Sequence, residues 1–72
     1  SEKIMPPNII KIDAEGAELK VLIGGKQLLK KFHPIIFLAV HSDALRDECS
    51  RFLGTMGYTI ENIGRSGEML AF

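Results

Sequence analysis

The chain contains no tryptophan, one cysteine, one tyrosine and no excess of either charge. A lone thiol, Cys49, excludes an intrachain disulfide and a zinc site built from several cysteines. It fits a reducing, intracellular compartment, so a cytoplasmic location is expected. Nine Lys and Arg residues balance nine Asp and Glu. A nucleic-acid-binding domain carries a net basic face, and that class is not expected here. The pairs Lys30-Lys31 and Asp47-Glu48 read as solvated helix faces. No stretch approaches the ~20 apolar residues of a membrane span, so no membrane partner is expected. The opening Ser1-Glu2-Lys3-Ile4-Met5-Pro6-Pro7 lacks a signal-peptide layout and an initiator methionine, which suggests a processed or truncated chain.

What the chain does have is apolar content: 46% of its 72 residues are hydrophobic, too many for a disordered tail. Pro6-Pro7 stiffens the lead-in and withholds two backbone donors. Ile9-Ile10-Lys11-Ile12 is a short β-branched strand candidate, and Asp13 to Gly16 form a turn into a helix. Glu15 and Glu18 stand where the positive end of that helix favours carboxylates. From Ala17 to Phe32, the residues Ala17, Val21, Leu28 and Phe32 fall on one helical stripe. Gly24-Gly25 interrupts it at a cost of about 2 kcal/mol relative to alanine, so two short helices with a kink are expected.

Pro34 stops that helix, and Ile35-Ile36-Phe37-Leu38-Ala39-Val40 is apolar without alternation. A strand covered on both faces reads this way. Ser42 or Asp43 can cap the next helix, whose core stripe is Leu45, Cys49, Phe52, Leu53 and Met56. Gly57 ends it in the left-handed position. Tyr58–Ile63 and Glu68–Phe72 then form a hairpin turned by Gly64-Arg65-Ser66-Gly67. The order is β-α-β-α-β-β, an α/β class with mostly parallel pairing and an antiparallel final strand.

The segment Ile9-Ile10-Lys11-Ile12-Asp13-Ala14-Glu15-Gly16-Ala17-Glu18, with Val21-Leu22 and Gly24, resembles the signature of FkbM-type S-adenosylmethionine-dependent methyltransferases. Pro34-Ile35-Ile36, Val40-His41 and Gly57-Tyr58 follow in that family's order, so the resemblance runs from about Ile9 to Phe72. One departure is clear: the family usually has a glutamate two residues before the histidine, where this chain has Ala39. The resemblance implies the C-terminal part of a class I, Rossmann-like sheet of order 3-2-1-4-5-7-6. Residues 1–72 would supply strands 4 to 7 of a partial domain. The cofactor-binding half would be absent, since no glycine here has the spacing of a G-x-G-x-x-G loop. The parent enzyme is then expected to use S-adenosylmethionine to methylate a hydroxyl of a small molecule or sugar, and this chain alone to be inactive. A free-standing α/β binding module is the alternative, and a structural fragment that assembles with a separately encoded cofactor half is a third reading.

Ligands of open α/β sheets bind beyond the carboxyl ends of parallel strands. Asp13 and His41 should end two neighbouring strands, and by resemblance Asp13 takes the position after strand 4 that faces the methyl donor. We therefore expect catalytic roles for Asp13, Glu15 and His41: the carboxylates position acceptor or cofactor, and His41 is an acid-base partner. Against this, Asp13 and Glu15 could simply stabilise the helix that follows. The three also have metal-ligand chemistry, but without a fourth ligand no metal site is expected. No cofactor-binding residue is assignable. Lys11 reads as a snorkelling side chain, Cys49 as an inert core thiol, His33 as structural, Tyr58 as packing, and Met56 and Met69 as core filler. Cutting the sheet at Ile9–Ile12 would leave an apolar edge, expected either to self-associate or to be shielded by Ser1–Pro7.

Overall fold

The computed structural model describes residues 2–5, 9–13, 15–64 and 67–72; of residues 2–5 it describes the backbone alone. The Pro6-Pro7 punctuation, Ala14 of the first turn and Arg65-Ser66 of the hairpin turn lie outside the described residues.

The elements run β1 (Glu2–Met5), β2 (Ile9–Ile12), α1 (Glu18–Gly24), α2 (Lys26–Phe32), β3 (Ile35–Ala39), α3 (Asp43–Thr55), β4 (Ile60–Asn62) and β5 (Glu68–Ala71). They build one five-stranded sheet in the order β1-β2-β3-β5-β4. The sequence β2-β3-β5-β4 is compatible with a Rossmann-like methyltransferase fragment. The expectation of a mostly parallel sheet is overturned: only β2 and β3 pair in parallel, while β1–β2, β3–β5 and β4–β5 are antiparallel. The cause lies in the connections. A parallel neighbour needs a long crossover, and of the two helical crossovers only the α1–α2 segment joins strands that end up adjacent. The α3 crossover delivers β4 to the sheet edge, and β5 then inserts antiparallel between β4 and β3. The expected shielding of the Ile9–Ile12 edge by the Ser1–Pro7 segment takes the form of the strand β1. It pairs along the free side of β2, Glu2 opposite Ile12 and Met5 opposite Ile9, through a connection far too short for a crossover.

Alternation along the strands divides the sheet into two unlike faces. Ile10, Ile12, Ile36, Leu38, Met69 and Ala71 are buried on one face, in a single cluster with Leu22 and Leu29 of the first two helices and Cys49 and Leu53 of α3. Ile9, Lys11, Ile35, Phe37 and Leu70 lie on the other face, around an open cavity of about 270 Å³. The expected covering of β3 on both sides is therefore found on one side only.

The helices break where the glycines predicted, with Gly25 between α1 and α2. Gly25 donates to the Val21 carbonyl and accepts from Leu29, both at 3.0 Å, so the break is a kink in an almost continuous ladder. The buried face is not the expected stripe. Phe32 is 61% exposed and Leu28 40%, whereas Glu18, Leu22 and Leu29 are buried. Apolar residues cover more than half of this segment's circumference, so their spacing alone does not choose between two stripes about 100° apart. In α3 the pattern was decisive: Cys49 and Leu53 are fully buried, and Leu45, Phe52 and Met56 pack against the core. Ser42 caps the helix, its hydroxyl accepting from the Leu45 N–H at 3.3 Å. At the other end Tyr58 N–H reaches the Leu53 carbonyl and Gly57 N–H that of Gly54, a Schellman closure around a left-handed Gly57.

Candidate functional site

The parallel register sets Ile12 level with Leu38, so Asp13 comes level with Ala39 and His41 follows two residues later. Both residues therefore leave the carboxyl ends of adjacent strands on one rim of the sheet. Asp13, Glu15 and His41 are all exposed there. Glu15 has φ of 49°, a left-handed conformation costing a non-glycine residue about 1 kcal/mol, and Gly16 follows with φ of 100°. The chain thus reverses from β2 into α1 through consecutive left-handed residues.

Two rim or near-rim residues, Glu68 and Arg46, escaped the sequence reading, and a third, Glu18, was read only as a carboxylate favoured at the helix start. Glu18 opens α1 as expected of a first-turn carboxylate, yet it is only 1% exposed, and one carboxylate oxygen accepts from the Gly16 N–H at 3.0 Å. A buried charge must be hydrogen-bonded to persist, and this bond ties the turn to the helix. Its position in the Glu-Gly-x-Glu run was the available signal. Glu68 stands directly across from Ala39 on β5, on the same face as Asp13. Only strand order could reveal that, because the sequence places the two positions 29 apart. Arg46, in the first turns of α3, reaches Asp43 at 3.5 Å, while its Nε is buried without a partner among the described residues. Its guanidinium overlies Gly67, whose carbonyl accepts from the Val40 N–H at 3.1 Å, so a cation stands beside the His41 end of β3.

Cys49 belongs to the core. Burial first, then the nearby carboxylates Glu18 and Glu48, push its thiol up to about 11, which keeps it protonated and unreactive. Among the described residues, no group of three or more His, Cys, Asp or Glu could hold a metal ion. S-adenosylmethionine needs carboxylates for its ribose hydroxyls and a backbone loop for its amino-acid end. The cavity on the open face offers four apolar side chains and Lys11, and it lies away from the rim turn. Among the described residues, those that line this cavity do not make a site for that cofactor.

No curated protein and no solved structure matches the chain. The family comparison is positive: the Methyltransferase FkbM domain matches residues 1–67 of the 72. With a match over nearly its whole length, on a mixed α/β sheet of compatible strand order, the chain belongs to the FkbM methyltransferase domain family.

Proposed function

We propose that the chain is the acceptor-side part of a methyltransferase whose S-adenosylmethionine is held by a separate segment, in a cytoplasmic setting. The observation that carries this reading is the parallel pairing of β2 with β3, which brings the ends of both strands to one rim. On that rim Asp13 orients the acceptor hydroxyl, His41 takes up the proton the hydroxyl releases, and Glu15 fixes the orientation of the acceptor. The left-handed backbone at Glu15 supports its part, since strained non-glycine residues persist where the surrounding structure holds them for a purpose. The acceptor is a small molecule or sugar bearing a free hydroxyl. The methyl group itself would come from the cofactor held by the separate segment.

Two measurements test the reading. Calorimetric titration of the chain with S-adenosylmethionine is expected to give no saturable heat; saturable binding would move the cofactor site into residues 1–72. In an enzyme carrying this domain together with its cofactor-binding half, Asp13→Asn and His41→Ala should each lower kcat by about 10²-fold or more, with cofactor affinity unchanged. Unaltered kcat in both variants would remove the rim from the chemistry.

A further inference from the structure

Three side chains stand in one row where the sheet ends at the rim. The parallel register sets Asp13 level with Ala39, and the antiparallel register sets Glu68 directly across from Ala39 on its other side. Val40 N–H donates to the Gly67 carbonyl at 3.1 Å, so positions 40 and 67 form a hydrogen-bonded pair and 39 and 68, next to them, do not. Side chains come closest in such non-hydrogen-bonded pairs, whose Cα atoms are about 4.5 Å apart. Asp13 and Glu68 therefore flank Ala39 on one face, with their Cα atoms roughly 9 Å from each other. Ala39 is the smallest side chain of β3, and it takes the position where the family usually carries a glutamate. Glu68 is half-buried at the first residue of β5, and its carboxylate lies over Gly64, where a Cβ would collide with Oε1. It makes no ion pair with another described residue.

We propose that Glu68 is a second acceptor-positioning carboxylate of the rim, and that the acceptor is a ring bearing at least two hydroxyls, as a sugar does. The inference rests on the rim reading given above and extends it. Opposed residues of an antiparallel pair present their side chains to one face about 5 Å apart. A carboxylate at position 68 on β5 therefore reaches nearly the ground that one at position 39 on β3 would, and the rim keeps its carboxylate one strand over. Rotation about its own side-chain torsions carries the Glu68 carboxylate across the small Ala39. A single carboxylate accepting from a single hydroxyl leaves a ring free to turn about that bond. Two carboxylates roughly 9 Å apart at the backbone, each accepting from a hydroxyl at about 2.7 Å, hold the ring at two points and fix which oxygen meets the methyl donor. A site built to accept from a hydroxyl also rejects an analogue that lacks it, so Glu68 sets acceptor specificity.

The test uses an enzyme carrying this domain together with its cofactor-binding half, with release of S-adenosylhomocysteine as the readout. The acceptor probes are the methyl pyranosides of glucose, mannose and galactose, with cyclohexanol as a ring of one hydroxyl. At least one pyranoside should be methylated with kcat/KM about 10²-fold or more above that of cyclohexanol. With that pyranoside, Glu68→Ala should raise KM about tenfold or more while kcat changes less than about threefold. Glu68→Gln, which keeps the packing over Gly64, should raise KM about threefold or more. Ala39→Glu combined with Glu68→Ala should recover most of the lost affinity, a rescue that a carboxylate needed only for the hairpin would not allow. Turnover of none of the pyranosides, or of cyclohexanol equally well, would overturn the proposal. So would an unaltered KM in Glu68→Ala or in Glu68→Gln, or a double variant no better than Glu68→Ala. Failure of the rim reading itself has a different signature, full kcat in Asp13→Asn and His41→Ala with the same pyranoside.

Discussion

Tyr58→Phe separates packing from hydrogen bonding at the point where α2, α3 and the start of the terminal hairpin meet. The Tyr58 ring is buried and stacks on His33 at 4.0 Å between centroids, with planes 11° apart. Its hydroxyl donates to the Pro34 carbonyl at 2.5 Å. Phenylalanine keeps the ring and the stack but leaves that carbonyl without its donor, at a cost of about 1–2 kcal/mol near neutral pH. Burial also pushes the phenol of Tyr58 up from 10.0 to about 12. A folded-state value above the unfolded one means the fold holds the proton more tightly. The contribution is therefore complete below pH 10 and is lost as pH rises through about 12. At pH 11 the loss amounts to about a factor of ten in the folding equilibrium, somewhat over 1 kcal/mol.

The variant has no phenol to ionise. Wild type and Tyr58→Phe, well separated at pH 7, should converge near pH 11 and cross above it. Cys49 titrates in the same region but is common to both proteins, so it cancels in the difference. Urea denaturation followed by circular dichroism at stepped pH supplies the stabilities. With one tyrosine and no tryptophan, tyrosinate absorbance reports the ionisation of this residue alone. A stability gap that stays constant from pH 7 to 11, or a tyrosinate midpoint near 10 in protein that is still folded, would refute the reasoning.

Cys49 should resist iodoacetamide at pH 8 in the folded protein and react readily in urea; comparable rates in the two states would show that the thiol is not held in the core. Gly67→Ala should destabilise by about 2–4 kcal/mol in chemical denaturation, because φ is 79° and a Cβ there would stand 1.9 Å from the Val40 carbonyl oxygen. A change under about 0.5 kcal/mol would mean that the hairpin adapts. Ser42→Ala should cost about 1 kcal/mol through loss of the α3 cap, and Ser42→Asp should recover it; equal stability of all three proteins would argue that the cap is idle.

What the sequence made legible was whatever a single element encodes. The α3 core stripe, its cap (narrowed to Ser42 or Asp43) and its Gly57 terminus are local patterns, and all three were readable within 16 residues. The break at Gly25 was readable for the same reason. The face of the first two helices was not, because Leu22, Leu28, Leu29 and Phe32 offer two apolar stripes and only packing against the sheet chooses between them. Shielding of the β2 edge by Ser1–Pro7 was expected, but not its form as a strand, because Glu-Lys-Ile-Met has no alternation of its own; the pairing is dictated by the otherwise open side of β2. The shared rim of Asp13 and His41 followed from strand order alone. Glu68 opposite Ala39 required the register of β5, which depends on a hairpin whose exact length the turn residues leave open.

The turn from β2 into α1 explains how exposed rim residues come to be held in place. Glu15 faces solvent and gains little from packing, so its position must be imposed from elsewhere. Glu18 imposes it. Its carboxylate is buried beside α3, where its charge is felt by Cys49, and it grips the Gly16 N–H. That bond fixes Gly16 left-handed against the end of the helix, and Glu15, one residue earlier, is drawn into the left-handed region as well. Carrying a buried charge is costly for so small a core, and an apolar residue at position 18 would serve packing alone better. What an apolar residue could not do is hold the turn. The least exposed carboxylate among the described residues therefore sets the geometry of Glu15 on the rim, and the family signature is a strand, a strained turn and the buried anchor that keeps it strained.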